Sequence, residues 1–108
     1  MARIATRFHG PALVSNAAAT KFTVAASEKN IVRHIHVSNP TASAVSFTAS
    51  IGADAAATRI FDGLSIPAVS VFDHFGFYVL DAAEIFQAFA GTNNALTLTI
   101  DGERSVLS

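Results

Sequence analysis

The chain has no cysteine, no tryptophan, one tyrosine and three prolines, and only 14% of its 108 residues are charged. Without cysteine, disulfide frameworks, thiolate zinc sites and thiol nucleophiles are excluded, and the redox compartment is left open. A net charge of −1, with basic residues scattered singly from Arg3 to Arg104, excludes a long phosphate footprint, because that needs clustered Lys and Arg. No apolar run approaches the roughly 20 residues that cross a bilayer as a helix. The opening stretch MARIATRFHGPALV also lacks the continuous apolar segment of a secretory leader. Neither nucleic acid nor membrane is therefore expected as a partner. The glycines stand apart from one another, so no phosphate-cradling loop is present. No Gly-x-Ser-x-Gly elbow occurs, and the acidic residues lack EF-hand spacing. No cofactor and no enzymatic activity are expected.

What the chain does have is hydrophobic content, 51%, arranged with a period of two. Val45, Phe47, Ala49 and Ile51 alternate with Ser46, Thr48 and Ser50. Leu96, Leu98 and Ile100 alternate with Thr97 and Thr99. In the run 31–38, Ile31, Ile35 and Val37 oppose His34, His36 and Ser38. Such alternation of β-branched and aromatic residues with polar ones marks strands with one buried face. Turn chemistry punctuates the runs at Asn39-Pro40, Gly52-Ala53-Asp54, Asp62-Gly63, Gly91 to Asn94 and Asp101-Gly102.

Strands are expected over 3–8, 20–25, 31–38, 44–51, 58–61, 69–73, 76–80, 84–90, 95–101 and 103–107. Their short connections imply antiparallel neighbours. Residues 78–90 also carry a helix-compatible composition, with strand favoured because Ile85, Gln87 and Phe89 alternate with Phe86, Ala88 and Ala90. The fold class is all-β: one antiparallel β-sandwich domain, jelly-roll-like or immunoglobulin-like. It is divided into an N-terminal arm or edge strand over 1–19 and the sandwich proper over 20–108.

The order KFTVAASEKNIVRHIHVSN, SFTASIG, RIFDGLSIPA, FYVLDAAEIFQAFA and ALTLTIDG resembles a group of small virion structural proteins of tailed bacteriophages. Their shared pattern runs from a Val-Pro-Ala strand end and a Gly-Lys turn, through a strand like "ivrsihvaN", to "vLeaGdtiqa" and a closing "ltltisG". Here Ala25 stands for the proline, Ser27 or Glu28 for the first glycine, and Ala83 for the glycine of the later turn. The likeness covers roughly residues 20–102. It implies a β-sandwich that assembles on a phage particle: a capsid decoration or cement subunit, often trimeric, with the major capsid protein as partner. The alternative it implies is a tail-tip, baseplate or fibre-associated module among tail proteins. Location on the virion is implied in either case.

Two constellations stand out. His34 and His36 are two apart on a strand, so both project from one face, and with a third ligand from His9, His74 or Asp73 they could bind Zn²⁺ or Ni²⁺. The same pair also reads as a polar strand face at a subunit contact. Of the nine phenylalanines, Phe61, Phe72, Phe75, Phe77, Phe86 and Phe89 crowd the second half of the chain, and the stretch 72–78 carries aromatic residues on both faces. Most must be core; Phe72, His74 and above all Phe75 are candidates for a subunit or capsid interface. Arg3, Arg7 and His9 are the corresponding candidates in the N-terminal segment, where an arm would pair its arginines with acidic groups of a partner.

Overall fold

A computed structural model describes residues 2–106, and among these every regular element is a β-strand. The strands are β1 (Ala2–Leu13), β2 (Ala19–Thr23), β3 (Glu28–Asn39), β4 (Val45–Ile51), β5 (Arg59–Ile66), β6 (Ser70–Leu80), β7 (Ile85–Ala90) and β8 (Thr97–Val106). They form two four-stranded sheets, ordered β1-β8-β3-β6 and β2-β7-β4-β5. All pairings are antiparallel. First pairs with last, second with seventh, third with sixth and fourth with fifth. This is a long ribbon folded in half and rolled until β8 also meets β3 and β7 also meets β4. Of the two sandwich types left open by the sequence, that wrapping is the jelly roll.

Period-two alternation supplies the core. Val32, Ile35 and Val37 of β3 and Leu98 and Ile100 of β8 face Val45, Phe47 and Ala49 of β4 and Phe86, Ala88 and Ala90 of β7, all buried. Sheets packed this way exclude water from both inner faces, and this burial is the main stabilising term. Residues 78–90 are the end of β6, a turn and β7, so the strand reading holds and the helix does not. The turn closes with Glu84 N–H donating to Asp81 O at 3.0 Å, while the Glu84 carboxylate accepts the Asp81 N–H at 2.6 Å. Ala83 adopts φ +70° there, the left-handed conformation for which glycine is the usual residue.

Several expected boundaries are corrected. The two runs 69–73 and 76–80 are one strand, β6. Asp62-Gly63 is no turn but lies within β5, where the register slips between Phe47↔Leu64 and Ala49↔Phe61 and Thr48 Oγ1 accepts the Gly63 N–H at 3.0 Å. Asp101-Gly102 likewise lies inside β8. A Cβ on Gly102 would come within 1.9 Å of the Ile31 carbonyl oxygen, so glycine lets two backbones approach rather than reverse. The segment expected as 103–107 continues β8 to Val106, with 107 outside the described residues. The N-terminal segment takes its edge-strand form: β1 is bonded along β8 from Ala2↔Val106 to Leu13↔Thr97.

Candidate functional site: the outer face of the β1-β8-β3-β6 sheet

β6 is an edge strand, and its alternation is complete. Val71, Asp73, Phe75, Phe77 and Val79 point outward and are exposed, while Phe72, His74 and Tyr78 point toward the second sheet. Phe75 is 75% exposed and Phe77 60%, and Val71 and Val79 continue the same stripe. A row of large apolar side chains on a strand with a free edge is unusual for a monomer, which normally blunts both features.

Beside this stripe runs a polar ladder. The β3–β8 pairing slips by one residue between Val32 and His34, which lets Arg33 and His34 both reach the outer surface before Ile35 returns to the core. His34 then lies opposite Phe75 on β6 and Asp101 on β8, and His36 opposite Asp73. The Asp73 carboxylate takes both imidazoles on one oxygen, His34 Nε2 at 2.8 Å and His36 Nδ1 at 2.5 Å. These bonds, His36's first, hold the Asp73 carboxyl below its ordinary range. The His34 ring lies flat on Phe75, centroids 4.4 Å apart and planes 3° apart. Its other nitrogen, Nδ1, faces Asp101 Oδ2 at 3.8 Å, and Arg7 lies 3.8 Å from the same carboxylate. One step along, Glu103 sits between Arg3 at 3.8 Å and Arg33 at 3.5 Å, and the Arg33 guanidinium covers the Phe77 ring at 5.6 Å. An open groove of about 610 Å³ runs between Arg33, His34, Phe75, Asp101 and Glu103.

The structure thus gathers several sequence candidates and separates others. His34, His36 and Phe75 share one surface with Arg3 and Arg7. The third group beside the histidines is Asp73, not His9 or His74. His9 lies against Lys21 of β2, and burial first, then the Lys21 charge, lowers its pKa. His74 packs edge-on to Phe61 at 5.0 Å and bonds the Tyr78 hydroxyl at 2.9 Å. Phe72 also meets Phe61 edge-on, at 5.6 Å. Phe72 and His74 therefore belong to the intersheet packing rather than to an exposed contact. The acidic partners of Arg3 and Arg7 are in β8 of the same chain. Phe77, Val71, Val79 and Asp101 belong to this face and were not singled out in the sequence; an unbroken alternation through 70–80 is the signal that points to them.

Compared with family models, with curated proteins and with solved structures, the chain matches none of them.

Proposed function

We propose that the protein is a non-enzymatic structural subunit of a tailed-phage virion, a decoration or cement protein that docks on the capsid through the outer face of β6. The observation that carries this reading is the exposed stripe Val71, Phe75, Phe77 and Val79 on a free sheet edge. Burying Phe75 and Phe77 against a neighbour removes large apolar area from water, and aromatic anchors of this kind dominate interface energetics. The flanking ladder of Arg3, Arg7, Arg33, Asp101 and Glu103 supplies a polar rim that fixes register rather than affinity. Binding only to assembled shells stabilises them by mass action. A low-charge surface suits a chain that repeats as a homo-oligomer, a trimer in the form the resemblance implies.

In this reading the bonds of His34 and His36 to Asp73, and of His74 to Tyr78, order the docking face and the intersheet packing.

The test is sedimentation of the purified chain with particles of the phage that encodes it. The wild-type chain pellets with heads, and a Phe75→Ser/Phe77→Ser variant stays in the supernatant. Pelleting with isolated tails would move the site to the tail. A mass-spectrometric inventory of the virion without this chain would overturn both.

A further inference from the structure

Beyond docking, the outer face holds a constellation with its own chemistry. We propose that His34, His36 and Asp73 form a binding site for a divalent transition-metal ion, with Zn²⁺ the ion it suits best. The three side chains come from adjacent strands, project from one face, and offer ligand atoms that all lie within 4.8 Å of one another. Two imidazoles and one carboxylate are a donor set for zinc, which takes three protein ligands and leaves a fourth position open; imidazole disfavours Ca²⁺ and Mg²⁺.

The distances fit. At metal–ligand bonds of about 2.0–2.2 Å, tetrahedral ligand atoms stand roughly 3.3 Å apart. Asp73 Oδ1 lies 2.8 Å from His34 Nε2 and 2.5 Å from His36 Nδ1. A cation among them requires Asp73 Oδ1 to part from each nitrogen by less than about 1 Å and the two nitrogens, which lie within 4.8 Å of each other, to close by up to about 1.5 Å, within the reach of side-chain torsions on a strand face.

The surroundings of His34 are those of a ligand rather than of an incidental surface histidine. A metal-bound imidazole typically directs its other N–H at a carboxylate, which sets tautomer and orientation. With Nε2 turned to the metal, Nδ1 faces Asp101 Oδ2 at 3.8 Å, and Arg7 lies near that carboxylate in turn. Phe75 fixes the ring plane from one side. Asp73 and Asp101 together give the position a negative field that favours a cation. The fourth coordination position is left for water.

The test uses the full, untagged chain stripped with a chelator and titrated with Zn²⁺ by calorimetry at pH 7.5, and with Co²⁺ by visible absorption. One equivalent of Zn²⁺ binds per chain, and Co²⁺ gives the intense bands of a tetrahedral site. His36→Ala and Asp73→Asn each weaken binding at least tenfold and remove those bands. Asp101→Asn weakens it about tenfold, and His9→Gln changes nothing. Circular dichroism of each variant checks that the fold is intact, and Asp73→Asn, the near-isosteric change, decides if His36→Ala does not fold. No binding at 1 mM metal, or binding undiminished in Asp73→Asn, overturns the proposal.

Discussion

At the scale of single residues, the backbone conformations that resist their side chains are informative. Ala83 sits at φ +70° on an exposed turn, and Val69, 77% exposed, at φ +49° just before β6. A left-handed L-residue costs about 1–2 kcal/mol that glycine does not incur, set against the entropy glycine loses on folding. Ala83→Gly is therefore expected to raise stability by about 0.5–1 kcal/mol, read as a higher urea midpoint at unchanged m-value; a lower midpoint would show that the turn is not held in that conformation. His9 sets a pH dependence. Burial and Lys21 lower its folded pKa below the ordinary 6.5. Below that ordinary value the unfolded chain binds a proton that the folded chain resists, so ν_U exceeds ν_N and stability falls as pH drops. Above it, His9 is neutral in both states and contributes no slope. Urea midpoints at pH 5.5 and 7.5 should differ more in the wild type than in His9→Gln; equal differences would remove His9 as the cause.

At the scale of elements, β6 and β7 show what the sequence displayed and what it hid. Period-two patterning located β4, β7 and the faces of β3 from His34 onward, because burial on one side imposes that period whatever the partner strand; the bulge between Val32 and His34 breaks it, so that Val32 and not Ile31 joins Ile35 and Val37 in the intersheet cluster. Asp62-Gly63 and Asp101-Gly102 misled for a physical reason: Asp-Gly serves tight turns and glycine-dependent irregularities inside strands alike, and only the neighbouring backbone distinguishes them. Splitting β6 at His74 obscured the common face of Phe75 and Phe77. Asp73 was one of three candidates for the place beside the histidines. The register that selects it joins residues 37 and 39 positions apart in sequence, and cross-strand register at that range is not written in local patterning. The two faces should also differ in energy. Phe86→Ala, in the core, is expected to cost about 3–5 kcal/mol. The double change Phe75→Ser/Phe77→Ser should cost no more than about 1 kcal/mol, chiefly the stacking on His34. Equal losses in chemical denaturation would mean that Phe75 and Phe77 are structural.

At the scale of the whole molecule, the jelly roll buries Phe47 and Phe86 between its sheets yet leaves a comparable aromatic pair, Phe75 and Phe77, on an outer edge. Closing the roll fills the space between the sheets with Val, Ile, Leu and Phe, and β6, last in its sheet, has a neighbour on one side only. The rigid core thus carries one apolar border, flanked by the charged ladder across β1, β8 and β3, and in the proposed function that border meets a neighbouring subunit. Burial of this border in the assembled particle can be read from a cryo-electron microscopy map of the virion at side-chain resolution. Density for this fold is expected on the capsid, with the Phe75 and Phe77 rings enclosed by a neighbouring chain. A map in which the fold is present but those rings face solvent, while another face makes the contacts, would contradict it.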